Sequence, residues 1–544
     1  MNRFRCGIFL ALVAVLVPAG ASAQKLKDII PNLFDRASTF GGQGGITLDA
    51  GIHLTLGEDG IFFIDNIDHT NDFFGANQTN KVLAIGDALH QSIATQISTF
   101  PTFGAPGGGF TYEYDSATGE YKRSGASLGN MFADRALTLG KGQRNWGFTL
   151  FRTEYDTIDG IDLGSSSLEF QLQHNDGGTP GIGPCRDRQV GFERGAPINA
   201  ADCERYWEGD LLGVSTSVDL WQETLIGFFS YGVTNRFDVG IAVPFVRNKM
   251  DAKVSMAIDR LSTIDQPLMH RFVDDNLRDP EGDEVLAGGS LIELVSEREE
   301  ANGIGDVHLR AKYRFADAPE GGLAVSFDVA LPTGDDEDYL GTGSARATAM
   351  LVGNRRWGAF SPYFNVGYTY SDNSGDTIRD LPDEINAGIG FDVQVHERVT
   401  LALGMRTRQL RGIDTFRQSD FVQEFTVSPS RNRAILEAIE EDPELAEEFG
   451  MQQCTQQNPC RTDFVDPADD EEDIPDGVLR EFLQKPRVDT SIVRDNVDLS
   501  LLTFGARFTP AKNFVVSTYF LFSLNSNGLE DEDPIPVVSL DYSF

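Results

Sequence analysis

The sequence lacks long apolar runs. One stretch, residues 6–17, is apolar throughout, and it is shorter than the roughly 20 residues that a membrane-spanning helix needs. This scarcity argues against a helical membrane protein. It does not exclude a transmembrane β-barrel, because barrel strands alternate apolar and polar residues and form no apolar run.

Basic residues are also scarce. The chain of 544 residues has 45 lysines and arginines against 83 aspartates and glutamates, which gives a formal charge of −38. Proteins that bind nucleic acid neutralise its phosphates with a basic surface. We therefore expect no nucleic-acid partner.

The residues that carry most enzyme chemistry are few. None of the seven histidines lies in a Gly-x-Ser-x-Gly nucleophile motif or in a His-Glu-x-x-His zinc motif. The acidic stretch 466–473 lacks the ligand spacing and the glycine of a calcium loop. We expect that the protein is not an enzyme, with no catalytic residue, no cofactor and no metal site.

Cysteine is rare too. Of five cysteines, Cys6 lies in the amino-terminal apolar run, and the other four form two local pairs, Cys185 with Cys203 and Cys454 with Cys460. An even number in an exported chain favours disulfide bonds, and the spacing matches no zinc motif. We predict two disulfides, each of which closes its own loop.

The chain begins with the pattern of an export signal. Arg3 and Arg5 precede the apolar run, and Ala21-Ser22-Ala23 follows it. This order of basic, apolar and small residues is typical of a cleavable secretory signal peptide. We predict that residues 1–23 are removed on export to the periplasm.

From about residue 130 onward, apolar and polar residues alternate with a period of two. In 307–315 every odd-numbered residue is apolar and every even-numbered residue is His, Arg or Lys. The same alternation recurs at 237–245, 323–331, 385–395 and 514–524. A strand of this kind has one apolar and one polar face.

The connections between the alternating segments are short and long in turn. Short turns occur near residues 235, 318, 356, 397 and 511, and the long connections include the acidic segments 175–210, 261–303 and 412–494. Short periplasmic turns and long extracellular loops are typical of an outer-membrane barrel. A water-soluble sandwich would also alternate, but it would not need loops sorted by side.

The predicted fold class is all-β: a transmembrane antiparallel β-barrel over residues 129–544. In lipid the sheet has to close, because open edges would leave backbone groups without hydrogen-bond partners. Fourteen segments alternate: 130–140, 145–157, 165–174, 211–232, 236–260, 304–316, 321–331, 344–355, 358–371, 383–395, 398–411, 495–509, 512–525 and 534–544. Twelve strands are the alternative if the early pair lies outside the wall, and sixteen if the long segments at 211–260 are split.

Residues 24–128 do not share this pattern. Apolar residues have helical spacing in 25–36 and 80–98, and a hairpin is expected around residues 116–119. This mixed helical and loop segment is expected either to plug the barrel lumen or to cap its periplasmic end.

Several stretches resemble a known family. GIGDVHLRAKYRF (303–315), LPTGDDEDYLGTGSA (331–345) and LPDEINAGIGFDVQVHERVTLA (381–402) look like the bacterial outer-membrane "transporter" family of the phenol-degradation meta pathway. That family is similar in general plan to FadL-type channels for hydrophobic compounds. The resemblance runs from about residue 210 to 544 and implies an outer-membrane barrel with a transport role. The chain shows no Asn-Pro-Ala-Gly stretch like that of fatty-acid channels.

Charged and polar residues recur on the polar face of the predicted strands. The candidates for lining the lumen are Asp306, His308, Arg310, Lys312, Arg314, Asp328, Asn386, Asp392, Arg406, Arg408 and Arg507. They are expected either to hold the lumen together through ion pairs or to draw an anionic solute, such as a carboxylate, through it. His308 is interpreted as part of this lining rather than as a catalytic base.

The last strand carries one further pattern. Leu540, Tyr542 and Phe544 share its apolar face, and this arrangement resembles the signal by which outer-membrane barrels are recognised for insertion. The expected location is the bacterial cell outer membrane. The expected partners are outer-membrane lipid and lipopolysaccharide, the barrel-assembly machinery and a small hydrophobic solute.

Two functions are compatible with these patterns. The first is a channel for passive uptake of small hydrophobic or amphipathic compounds. The second is a structural or surface-interaction barrel whose lumen is plugged and which transports nothing.

Overall fold

A computed structural model describes residues 25–38, 46–56, 62–68, 76–99, 111–115, 120–124, 134–165, 167–173, 211–259, 271–274, 292–318, 321–373, 381–427, 481–511 and 513–544. The helices are α1 (Leu26–Ser38) and α2 (Ala76–Thr99). The strands are β1 (Ile46–Leu56), β2 (Phe62–Asp68), β3 (Thr111–Asp115), β4 (Glu120–Ser124), β5 (Arg144–Tyr155), β6 (Thr157–Ile158), β7 (Ile161–Asp162), β8 (Leu168–Gln173), β9 (Leu211–Gly232), β10 (Phe237–Asp259), β11 (Arg271–Asp274), β12 (Ile292–Ile304), β13 (Val307–Ala318), β14 (Gly321–Leu331), β15 (Arg346–Arg355), β16 (Phe360–Ser371), β17 (Glu384–His396), β18 (Val399–Val427), β19 (Glu481–Ala511), β20 (Phe514–Ser523), β21 (Leu529–Glu530) and β22 (Ile535–Ser543).

Twelve of these strands form a closed antiparallel barrel. Around the ring the order is β5, β9, β10, β13 to β20 in sequence, β22, and β5 again. At the closing seam, β22 pairs with β5, and the backbones of Arg144 and Phe544 exchange two hydrogen bonds of 3.0 Å. Every wall strand therefore has a partner on both sides.

The prediction of fourteen wall strands is wrong, and the alternative of twelve is correct. Segment 165–174 contains β8, which pairs with residues 211–216 of β9. β5 pairs with residues 220–231 of the same strand and closes the ring, so β8 lies outside it. β12 likewise extends the sheet along the upper part of β10, outside the ring. Segment 130–140 is not a wall strand either, because its described residues, 134–140, form no strand.

The two faces of the wall differ as the alternation predicts. On β17, Ile385 and Ile389 point outward and are 39% and 63% exposed, whereas Glu384 and Asp392 point inward and are 0% and 1% exposed. The outer face carries a belt of exposed aromatic and aliphatic side chains, and the inner face is polar. This is the arrangement that a lipid-facing barrel requires.

The wall strands have two classes of length. β14 to β17, β20 and β22 contain 9 to 13 residues, close to the roughly 9–11 that cross a bilayer when tilted. β9, β10, β18 and β19 contain 22 to 31 residues and project beyond that span. The predicted long connections 261–303 and 412–494 are therefore shorter than expected, because β12, β18 and β19 occupy parts of them.

The helices and the hairpin predicted before residue 128 are confirmed as α1, α2 and the pair β3–β4. α1 packs against α2 so closely that a Cβ at Gly86 would lie 2.7 Å from the Phe34 ring. Within the described ranges, neither helix is both long and apolar enough to cross a membrane. The predicted signal peptide and the four cysteines of the predicted disulfides lie outside the described residues.

The closing seam provides a test of the fold. A Cβ at Gly147 would overlap the carbonyl oxygen of Leu540 and lie 2.6 Å from Cζ of Phe228. We expect Gly147→Val to push β22 away from β5, so that less protein reaches the heat-modifiable, compact form on gel electrophoresis. Gly164→Ala is the control, since its new Cβ would meet nothing closer than 3.5 Å. Equal amounts of compact barrel from both variants would contradict this account of the seam.

Candidate functional site in the barrel lumen

A short segment without secondary structure crosses the inside of the barrel. We call residues 134–141 the luminal strap; they directly precede β5. Its end nearest β5 is held at the short-turn side, where the Leu139 amide donates to Asp238 at 2.9 Å and the Thr138 hydroxyl to the Asn235 carbonyl at 2.8 Å. The strap therefore lies in the half of the lumen nearest the short turns.

At its other end, the strap places Asp134 against one wall. Arg310 and Lys312, both on β13, form ion pairs with the Asp134 carboxylate, the lysine at 3.2 Å. Arg310 also donates to the Ser326 hydroxyl on β14 at 3.0 Å. Asp134 is 4% exposed, so its charge depends on these partners.

The next residue reaches a different part of the wall. Arg135 forms an ion pair with Asp392 on β17 and lies 4.5 Å from the ring centre of Tyr363 on β16. Asp392 also lies 3.6 Å from Nη1 of Arg507 on β19. Two adjacent residues of the strap therefore connect β13 with β17 across the lumen.

Side chains fill the lumen at this level. Ala136 of the strap, Val352, Ala402 and Tyr519 are each 0–1% exposed, and Arg507 is 2% exposed. A wide water-filled pore would leave inward-facing side chains accessible to solvent. Among the described residues, the strap and the inner wall therefore form a packed constriction.

A second buried network lies nearer the long connections. Glu384 on β17 forms ion pairs with Arg346 on β15 and with Arg408 on β18, the latter at 2.8 Å. Arg406 donates to Asn386 at 3.4 Å, in the same network. Glu384 is 0% exposed, so it offsets the charge of two guanidinium groups that are almost fully removed from water.

Helix α2 contacts the lumen side of this second network. The Thr99 hydroxyl accepts a hydrogen bond from Arg408 at 3.0 Å, and the side-chain Oε1 of Gln96 accepts one from the Leu529 amide at 2.6 Å. His90 pairs with the Tyr339 hydroxyl at 2.7 Å. Leu529 and Tyr339 belong to long connections, so α2 lies toward the end opposite the short turns.

A small cavity lies at this helix end. Its volume is about 30 Å³, and its lining combines Gln96, Tyr155, Arg406 and Arg408 with apolar residues of β19, β21 and β22. Within the described ranges, no three His, Cys, Asp or Glu side chains gather in a group able to hold a metal ion.

The structure separates the remaining predicted lumen residues into different roles. Asp306 accepts hydrogen bonds from the Gly334 and Thr342 amides at 3.0 and 2.8 Å and so fixes the β14–β15 connection. His308 pairs with Asp328 at 2.7 Å. Arg314 donates to the Gly321 carbonyl at 2.6 Å, which places it at a short turn and not at the constriction.

Sequence reasoning missed four residues of these networks: Asp134, Arg135, Arg346 and Glu384. Glu384 and Arg346 have the inward parity of their strands, so the alternation contained the information to find them. The adjacent charges Asp134 and Arg135 would place one charge on the lipid face of a strand. That conflict was the pattern that could have excluded 130–140 from the wall.

The residues of the predicted insertion signal lie on the outer face. Leu540, Tyr542 and Phe544 are 37%, 37% and 46% exposed, and Tyr542 lies between Trp146 and Phe544 in a cluster of aromatic rings. Their role in insertion stays a prediction.

Comparison with known proteins gave a family match for the barrel. Residues 212–428 match the model of the family described as "Putative MetA-pathway of phenol degradation". The predicted family resemblance is confirmed over this range. Comparison with curated proteins gave no match.

Solved barrels are similar to this chain only at low scores. The COG4313 outer membrane channel from Pseudomonas putida F1 has 10% identity and a TM-score of 0.35, covering 75% of this chain and 97% of that one. A FadL homologue from Pseudomonas aeruginosa has 14% identity and a TM-score of 0.27, covering 74% and 90%. The P. putida toluene transporter TodX has 10% identity and a TM-score of 0.27, covering 74% and 89%. Scores this low carry no argument about the solute.

The Glu384 network predicts a large effect on stability. Glu384→Gln removes the carboxylate and leaves Arg346 and Arg408 buried without it, which should lower the free energy of unfolding by about 3–5 kcal/mol. The control is Glu154→Gln, which weakens an exposed pair with Arg152 and should cost about 0–1 kcal/mol. Thermal unfolding of both variants in detergent measures the difference. Similar unfolding temperatures would show that Glu384 does not hold the two arginines.

The connection between β20 and β22 predicts a dependence on pH. Burial, with nearby Asp159 and Glu532, raises the pKa of Glu530 to about 7. Burial also raises the pKa of Asp531 to about 6. Between the unfolded pKa of about 4.3 and these values the folded state binds more protons, so stability falls as pH rises from about 4 to about 7.

The variant Glu530→Gln isolates this contribution from the general charge of the protein. At pH 8 it should be more stable than the wild type by on the order of 1 kcal/mol, and at pH 4, just below the unfolded pKa, the two should be nearly equal. Thermal unfolding at both pH values checks this. A gain of the same size at pH 4 would contradict a titrating Glu530.

Proposed function

We propose that this protein is an outer-membrane channel that admits small hydrophobic or amphipathic compounds by passive uptake. The observation that carries the proposal is the closed ring of twelve strands with an exposed apolar belt outside and charged side chains inside. An apolar belt around the whole barrel is stable in lipid and not in water. The family match over residues 212–428 supports this proposal.

Location and partners follow from the same proposal. The mature barrel sits in the outer membrane after export to the periplasm, with short turns at the periplasmic side and the apolar belt against outer-membrane lipid and lipopolysaccharide. The barrel-assembly machinery inserts it through the face that contains Leu540, Tyr542 and Phe544. Residues 24–128 act as a plug rather than a periplasmic cap, since α2 contacts the long-connection end of the lumen.

The packed lumen favours a second candidate. If the ion pairs at the strap and around Glu384 never open, the protein is a structural or surface-interaction barrel without transport. In that case the charged lumen residues serve stability alone.

Reconstitution distinguishes the two candidates. Purified protein in planar bilayers should show stepwise conductance. Bilayers with the heat-denatured protein are the control. Absence of conductance would contradict the channel and favour the structural barrel.

A further inference from the structure

We propose that Arg310 and Lys312 form a carboxylate-binding site in the channel, and that Asp134 of the luminal strap occupies this site as an internal ligand. A solute with a carboxylate group replaces Asp134, and the strap then leaves the constriction. This inference rests on the proposed channel function and names its solute class: small amphipathic carboxylates.

The wall supplies two cationic donors for one carboxylate. Asp134 accepts from both Arg310 and Lys312. The Ser326 hydroxyl on the neighbouring strand accepts from Arg310 and helps to orient it. Arginine offers a planar pair of donors that matches a carboxylate, and lysine adds a point charge. Nothing in this geometry requires that the carboxylate belong to the chain itself.

The backbone holds the Asp134 side of this contact differently from the wall side. β13 is hydrogen-bonded along its length to β10 and β14, so Arg310 and Lys312 sit on a rigid ladder. The strap belongs to no ladder; ion pairs of Asp134 and Arg135 hold it, together with hydrogen bonds such as Ala136 to Asn354 at 3.1 Å. Displacing the strap breaks these contacts and leaves the strand ladders of the wall intact.

Charge balance makes the displacement depend on a solute anion. When Arg135 leaves, Asp392 keeps Arg507 as a charged neighbour at 3.6 Å. When Asp134 leaves, Arg310 and Lys312 keep the carboxylates of Asp328 and Asp238 as cross-strand neighbours, but neither carboxylate forms a described ion pair with them. Uncompensated buried charges are costly, so a carboxylate in the Asp134 position lowers the free energy of the open state.

The surroundings of the site suit an apolar body beside the carboxylate. Ala324 and Val352, on the inward faces of β14 and β15, are both 0% exposed. The Tyr363 ring, which now contacts Arg135, lies on the next strand. A small anion with an apolar or aromatic part would therefore replace both Asp134 and the packing of the strap.

Planar-bilayer recording with sodium benzoate as the probe tests this inference. Asp134→Asn removes the internal carboxylate with little change of shape. The equilibrium between the bound and the displaced strap should shift toward the displaced strap, and conductance should rise about tenfold. Reversal potentials across a sodium benzoate gradient should show preference for benzoate. Adding Lys312→Gln to this variant should keep the conductance gain and lose the benzoate preference.

Asp328→Asn is the matched control. It removes an inward carboxylate from the neighbouring strand, where Asp328 pairs with His308 and does not touch the strap. Equal conductance gains from Asp134→Asn and Asp328→Asn would mean that only the net charge of the lumen matters, and this would overturn the inference. An unchanged conductance in a compact, heat-modifiable Asp134→Asn barrel would overturn it as well.

A wild-type experiment keeps the test independent of folding defects. Benzoate, compared with the same concentration of chloride, should raise the open probability of the unaltered channel, and benzamide, its uncharged counterpart, should not. If benzoate does not change the conductance of the wild type, the carboxylate site is overturned, but the proposed channel function is not. No conductance from the wild type or from any variant would overturn the channel function itself.

Discussion

Closure of the backbone hydrogen-bond ladder is the constraint on which the rest of the structure depends. In lipid, each unpaired amide or carbonyl of a strand edge costs several kcal/mol, so β22 has to meet β5. Gly147 permits this approach because it has no side chain at the point where the Leu540 carbonyl passes. Once the ring is closed, each side chain of the wall points either to lipid or to the lumen.

This fixed orientation of the side chains explains why the barrel lumen contains buried ion pairs. Alternation sends the apolar side chains to lipid and concentrates the charged ones in a narrow lumen, where they have to find partners. Asp134 with Arg310 and Lys312, Arg135 with Asp392, and Glu384 with Arg346 and Arg408 are the resulting pairs. The strap and helix α2 complete the packing at the two levels that these pairs occupy.

The sequence predicts the strands of the barrel wall much better than the contacts inside the lumen. The strict alternation in β13, β14 and β17 predicts both that these segments are strands and which side chains face lipid. In a barrel wall the apolar side chains of an alternating strand face lipid, so the polar ones face the lumen. The number of strands was less accessible, since β8 alternates as wall strands do but pairs outside the ring, and the described part of 130–140 forms no strand. The sequence contains no pattern that shows which level of the barrel a segment reaches.

The contents of the lumen depend on contacts between residues far apart in the chain. Asp134 meets Arg310 across 176 positions, and Thr99 meets Arg408 across 309. Parity identified Arg310, Asp392, Arg408 and Arg507 as inward, but it could not assign partners to them. Residues 130–140 have the length and the apolar content of a strand, so the sequence predicts a strand where the structure has the luminal strap.

The central claim is that the outer face meets lipid while the inner face is packed. Spin labels at single cysteines along β17, in membranes and with the native cysteines replaced by serine, test it most directly. The account predicts that residues 385, 387, 389, 391 and 393 are accessible to oxygen and not to a water-soluble nickel complex, and that the residues between them are accessible to neither. Nickel access at Ile389, or the absence of a period of two, would contradict it.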